Sequence, residues 1–168
     1  MSPKKRSSQN GWAYDSRSPD ATVRLGHQIG TALEGGEVVA LYGDLGTGKT
    51  TLVRGMAAGI GAPPQAVTSP TFVLIHEYRG RLRLAHADLY RITDPDELRH
   101  TGLIDYFDGS TVVVIEWAER AGDTLPSDRL QIRLSHEAPS VRHIVMSALG
   151  SDAKRLLTNI RQHFKEPD

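Results

Sequence analysis

Apolar residues recur every four positions through Ala21, Leu25, Ile29 and Leu33, the spacing of one helical face. Ser18, Pro19 and Asp20 stand just ahead of them. They supply a cap, a proline at the first helical position and an acid in the first turn, while Gly35-Gly36 ends the helix. The next segment, 38–42, is a continuous apolar run without alternation, which predicts a strand buried on both faces, as in a parallel sheet covered by helices. Val112-Val113-Val114-Ile115 is a second run of this kind, short and β-branched. Between the two, the pattern predicts a helix from about 49 to 60, with Leu52, Val53 and Met56 as its apolar stripe. An extended hairpin follows from 72 to 88, broken near Arg79-Gly80, and then a helix from about 94 to 101, opened by Asp94-Pro95 and closed by Gly102. Strands at 130–134 and 143–148 precede a last helix from 151 to about 163. The order predicts an α/β fold of the P-loop NTPase kind, with a mainly parallel central sheet flanked by helices and an antiparallel hairpin insertion.

The first ten residues are polar and carry Lys4, Lys5 and Arg6, without the apolar core of a signal peptide or the amphipathic period of a transit peptide. Residues 1–17 are therefore expected to be a disordered basic tail, 18–164 one domain and 165–168 a short tail. The 168 residues suit one domain. Twenty basic residues balance twenty acidic ones, which argues against a protein that binds nucleic acid through a broad positive field. The absence of cysteine removes thiolate metal sites and cysteine nucleophiles and suits a reducing compartment, so a cytoplasmic location is expected. No apolar run approaches the roughly 20 residues of a membrane span.

Directly after the first buried strand stands Gly43-Asp44-Leu45-Gly46-Thr47-Gly48-Lys49-Thr50, a complete G-x-x-x-x-G-K-T between a strand and a helix. The glycines let successive backbone N–H groups converge on a polyphosphate, and the helix opening at Lys49 adds its positive end. Lys49 is expected to bridge the terminal phosphates and the Thr50 hydroxyl to take one position on Mg²⁺. The nucleotide contacts are assigned to residues 44 to 51: Asp44, Leu45, Gly46, Thr47, Gly48, Lys49, Thr50 and Thr51. No N-K-x-D segment is present, because Asn10 and Asn159 are the only asparagines and neither is followed by lysine; this argues against guanine recognition, and ATP is expected. The L-S-G-G-Q signature of transporter ATPases is also absent, and the chain is too short for an AAA-type machine. Two classes remain: a partner-dependent ATPase and an autonomous small-molecule kinase.

Carboxylates near the phosphates belong just beyond strand ends, where Asp88 and Glu116 stand. A hairpin turning at Arg79-Gly80 with Tyr78 facing Arg81 would place Thr71 opposite Asp88, so that Ser69-Pro70-Thr71 acts as a switch-like segment. The same register puts Arg81 and Arg83 on one face with Tyr78 and His76, read as a solvated polar face. Arg91 is a candidate charge stabiliser, and Trp117 either stacks on adenine or packs in the core. His76 and His86 lack the spacing and companions of a zinc site, so no histidine metal ligand is expected.

Together with the phosphate loop, Val67-Thr68-Ser69-Pro70-Thr71-Phe72, His86-Ala87-Asp88-Leu89-Tyr90-Arg91, Gly102-Leu103-Ile104-Asp105-Tyr106-Phe107 and Ile115-Glu116-Trp117-Ala118-Glu119-Arg120 resemble the bacterial TsaE (YjeE) family in order and spacing. The resemblance spans about 19–150. It implies a P-loop ATPase of tRNA threonylcarbamoyladenosine biosynthesis, weak alone, that binds a TsaD–TsaB pair and serves tRNA only through it, with no DNA or membrane partner. ATP and Mg²⁺ are the implied ligands. The resemblance makes Lys49 and Thr50 phosphate and Mg²⁺ ligands, Asp88 and Glu116 the metal and water-positioning carboxylates, Thr71 a switch-like contact and Trp117 a neighbour of the nucleotide. It leaves open which carboxylate touches the metal. Thr47 stands where the family often has alanine, at a position expected to contribute backbone alone.

Overall fold

The computed structural model describes residues 10–63 and 74–166. Its elements, in chain order, are β1 (Gly11–Ser16), α1 (Pro19–Ala32), β2 (Val38–Tyr42), α2 (Lys49–Gly59), β3 (Ile75–Arg79), β4 (Arg83–Asp88), β5 (Val112–Glu116), β6 (Arg129–Ala138), β7 (Val141–Leu149) and α3 (Ser151–His163). Three short 3-10 segments, Pro95–His100, Leu103–Tyr106 and Ala118–Thr124, complete the order. The sheet runs β1-β7-β6-β2-β5-β4-β3. Its centre, β6-β2-β5-β4, is parallel, and antiparallel strands close both sides. The hairpin expected as an insertion is thus part of the main sheet, because β4 pairs in parallel with β5.

Alternation along the central strands divides the core into two layers. Val39, Leu41, Leu84, Val112, Val114, Leu130 and Ile132 face the three α-helices. Val38, Ala40, Ala87, Val113 and Ile115 face the 3-10 segments, which contribute Leu98, Leu103, Ala118 and Ala121, with Leu125 just beyond the last of them. The helical stripe Ala21, Leu25, Ile29 and Leu33 is buried as its period requires. Ser18 accepts the Ala21 N–H at 3.1 Å, so the cap read from Ser18-Pro19-Asp20 holds. The segment opened by Asp94 has its capping box but winds as a 3-10 helix of six residues rather than an α-helix.

Helices α1 and α2 approach unusually closely because glycines face each other across the contact. A Cβ at Gly26, Gly30, Gly55 or Gly59 would overlap the carbonyl oxygen of Leu52, Met56, Val23 or His27 respectively. The four glycines form two G-x-x-x-G pairs, one on each helix. They set the separation of the helix that carries the phosphate loop.

Three expectations need correction. Residues 11–16, placed in the tail, form β1, paired antiparallel with β7. Trp12 and Tyr14 alternate inward, and Phe164 packs edge-on against both rings, at 4.7 and 5.2 Å. Lys165 was likewise placed in a tail, yet its N–H and C=O both pair with the Gln28 side chain. The hairpin register also differs. Arg79 pairs with Arg83 and Tyr78 with Leu84, around a turn of Gly80, Arg81 and Leu82. The reason is docking: the Arg81 N–H donates to Ile60 O at 2.7 Å, and its guanidinium donates to the Gly30 and Thr31 carbonyls at the end of α1. This register pairs buried Tyr78 with buried Leu84 and moves Arg83 to the opposite face, beside Glu77. Thr71 and Ser69, and with them the expected placement of Thr71 opposite Asp88, lie outside the described residues; the Asp88 N–H donates to Leu74 O.

Two outcomes are expected. Gly55→Ala forces a methyl against Val23 O; overpacking of about 1–3 kcal/mol, set against about 0.5–1 kcal/mol of helix propensity, gives a net destabilisation of about 1 kcal/mol, read as a lower urea midpoint. Glu77 accepts two hydrogen bonds from Arg83 and one from the Tyr106 hydroxyl, chiefly for which reason its pKa falls from 4.5 to about 2. Its folded pKa lies below its unfolded one, so the stability it adds is full above pH 4.5 and is lost as the pH falls toward about 2. Denaturation midpoints of Glu77→Gln should therefore decline less than those of the parent between pH 5 and pH 2.

Candidate active site

The chain leaves β2 through α2 toward β4 on one side, and leaves β5 toward β6 on the other. A crevice therefore opens between the carboxyl ends of β2 and β5, the usual ligand position in an open α/β sheet. The phosphate loop follows β2 and Glu116 ends β5. The cleft there holds about 230 Å³ and is lined by Leu45, Gly46, Gly48, Lys49, Thr50, Thr51, Asp88, Glu116 and Trp117. A hollow of about 490 Å³ near Arg83 and Tyr106 is larger, but it lacks this convergence of cation, hydroxyl and carboxylates.

Gly46 and Gly48 have φ of +78° and +102°, values that side chains resist, and Gly48 is the residue from which α2 starts. Asp44, Leu45 and Gly46 form the exposed tip, with Leu45 76% exposed. Thr47 does more than lend backbone. Its buried hydroxyl donates to Asp44 O at 2.9 Å, and its N–H reaches the same oxygen at 3.3 Å, closing the loop on itself. Lys49 curls back beneath the loop, donating to Gly43 O at 2.5 Å and Asp44 O at 2.9 Å. Burial pushes its ammonium below the usual lysine value, and the carboxylates of Glu116, Glu119, Asp88 and Asp44 oppose that shift.

The period of two along β4 and β5 brings the acids together. Leu84, His86 and Asp88 point to the helix face of β4, as do Val112, Val114 and Glu116 on β5, and Asp88 lies level with Glu116 in the parallel register. Glu116 is 3% exposed. It accepts the Thr50 hydroxyl at 2.8 Å on Oε1 and meets His86 Nε2 at 2.6 Å on Oε2. Asp88 accepts the Tyr90 N–H at 3.0 Å, which holds its carboxylate at the strand end.

Trp117 follows at φ 55°, ψ 45°, a left-handed conformation rare for a bulky residue, and the turn aims its indole back over the site. The Lys49 ammonium sits 4.3 Å from the ring centre. Tyr90 packs 5.0 Å from it, and the Arg120 guanidinium lies over both rings while donating to Ile92 O. The indole therefore belongs to the cleft. Arg91 is exposed and is not among the cleft's described lining residues. His86 and Arg120 are the site neighbours that sequence reasoning missed. The signal for His86 was its place two residues before Asp88, on the same strand face.

Oxygen donors from Thr50 and Glu116 converge on the cleft, a set suited to a hard cation. Among the described residues no group of three or more histidines and acids could cage a metal. The Thr50 and Glu116 oxygens would suit Mg²⁺, which takes one or two protein oxygens and completes its shell with phosphate and water.

A family model described as "Threonylcarbamoyl adenosine biosynthesis protein TsaE" matches residues 16–144. The chain is similar to the tRNA threonylcarbamoyladenosine biosynthesis protein TsaE of Bacillus subtilis, 37% identical over 147 residues, covering 87% of this chain and 91% of that protein. It is also similar to the protein of the same name from Treponema pallidum, 41% identical over 132 residues, covering 79% of this chain and 97% of that one. The crystal structure of Bacillus subtilis YdiB superposes with a TM-score of 0.77 at 32% identity, covering 91% of this chain and 95% of the other.

Thr47→Val keeps the shape of the side chain and deletes the hydroxyl that bonds Asp44 O. The expected cost is about 1 kcal/mol, measured as a lower midpoint in urea.

Proposed function

The chain belongs to the TsaE family, whose members function in tRNA threonylcarbamoyladenosine biosynthesis, and from that premise we propose that it is the ATP-binding and ATP-hydrolysing subunit of that pathway. Its activity is weak alone and rises in complex with a TsaD–TsaB-like pair, through which it serves tRNA. The observation that carries this reading is the meeting of Lys49, Thr50, Asp88 and Glu116 in one cleft beneath the phosphate loop.

In this reading the backbone N–H groups of residues 44–51 and the N-terminal end of α2 receive the phosphates. Lys49 leaves the Gly43 and Asp44 carbonyls and turns to the terminal phosphates. It is poised to do so because those carbonyls are its stand-in partners. Thr50 gives its proton to Glu116, so its oxygen lone pairs remain available to the cleft. Thr50 and Glu116 would hold Mg²⁺, which when bound neutralises charge on the phosphate oxygens. Asp88, level with Glu116 on the next strand, orients the attacking water. Water adds to the γ-phosphorus, the β–γ bridging bond breaks, and ADP and phosphate leave. Trp117 and Tyr90 wall the cleft beside Lys49. Arg91 and the segment with Ser69 and Thr71 complete the proposed set as charge stabiliser and switch. The coupling to the partners is a population shift: ATP favours one assembly state and its hydrolysis another.

Mixing the chain with a TsaD–TsaB pair should raise phosphate release above that of the chain alone. Lys49→Ala and Glu116→Gln should each lower that rise on the order of a hundredfold, the scale of losing one preorganised electrostatic group. Release that stays unchanged on adding the pair would sink the proposal, and phosphate transfer to a metabolite without any partner would replace it with a kinase.

A further inference from the structure

His86 is fully buried on β4, and the position it occupies is one where an aliphatic side chain would pack without a polar penalty. Its Nε2 lies 2.6 Å from Glu116 Oε2, while its Nδ1 is buried with no hydrogen-bond partner among the described residues. A ring with one nitrogen committed and the other unsatisfied is costly as packing, so the committed nitrogen is the informative one. A carboxylate turns freely about its last bond unless both oxygens are held. Thr50 holds Oε1 at 2.8 Å from one side, and its second contact, to Oε2, is longer at 3.1 Å. His86 is the close donor to Oε2.

We propose that His86 is a positioning residue for Glu116: its Nε2–H pins Oε2 so that Oε1 stays against the Thr50 hydroxyl and the Thr50 lone pairs face the cleft. It touches neither phosphate nor metal. The His86–Glu116–Thr50 chain links β4, β5 and the first turn of α2, three elements whose backbones do not otherwise fix the carboxylate's rotation. The functional consequence rests on the reading of Glu116 as a magnesium-side carboxylate, in which His86 is the outer partner that orients an inner ligand.

Three variants separate the hydrogen bond from the bulk of the ring. In His86→Gln the amide nitrogen falls near the Nε2 position, in His86→Asn it falls short near Nδ1, and in His86→Leu there is no donor. Crystal structures of the three should show Glu116 still bonded to Thr50 in His86→Gln, and rotated away in the other two. Calorimetry should show the magnesium-dependent gain in ATP affinity reduced about tenfold or more in His86→Asn and His86→Leu, restored to within about threefold in His86→Gln, with metal-free ATP affinity changed little. Glu116 remaining on Thr50 in His86→Asn, or equal losses in His86→Asn and His86→Gln, would overturn the proposal. If His86→Leu does not fold, the two amide variants carry the test. A parent protein whose ATP affinity gains nothing from magnesium would remove Glu116's metal role, and the position of its carboxylate in the variant structures would still decide the role of His86.

Discussion

Four glycines on α1 and α2 let two helix backbones touch where side chains would hold them apart. The phosphate loop leans on that contact. Lys49 and Thr50 occupy the first turn of α2, so the depth at which α2 seats against α1 decides how close their side chains come to the ends of β2 and β5. A wider separation would lift Thr50 away from Glu116, and a bond of 2.8 Å has little room to stretch. The same seating reaches the hairpin, because Arg81 donates to carbonyls at the end of α1 and its N–H to Ile60 O at the end of α2. One apolar contact between helices thus sets the geometry of the loop and the register of β3 against β4.

A second constraint is electrostatic. Glu116 is a carboxylate withdrawn from water at the end of a buried strand, a state that is tolerable only when donors replace the lost hydration. Thr50 and His86 do this from opposite sides. Lys49 is buried beside them and satisfied by two carbonyls of its own loop rather than by the carboxylate. The site therefore holds cation and anion apart, each provisionally partnered, with a cleft between them. A direct Lys49–Glu116 pair would close that gap. The aromatic wall of Trp117 and Tyr90 keeps the ammonium against a π-face and further from water.

Much of this was legible along the chain because it is local. Ser18-Pro19-Asp20 capped a helix, 38–42 and 112–116 formed buried strands, and the G-x-x-x-x-G-K-T spacing lay between a strand and a helix as its chemistry requires. Asp88 and Glu116 were placed at strand ends, and the parallel register sets them level. Other features escaped because their cause lies far away in sequence. Residues 11–16 read as a tail, since an edge strand of mixed polarity is recognisable only when β7 and Phe164 are there to receive it. The hairpin register differed because the turn, besides its own Gly80–Leu82 bond, is docked on the helix ends. His86 carries no local signal of its partner, because Glu116 stands thirty residues on.

What the sequence determined by itself is most of the central elements, the G-x-x-x-x-G-K-T segment between a strand and a helix, and the family it resembles, because caps, periodicity and motif spacing are short-range properties of the chain. Tertiary structure alone decided which side chains share the cleft, that Thr47 ties the loop with its hydroxyl, that Trp117 turns back over Lys49, and that His86 reaches Glu116. Those facts depend on the lateral order of strands and on how deeply two helices pack. Both are set by the summed burial of residues distant in sequence, so no single stretch of the chain encodes them.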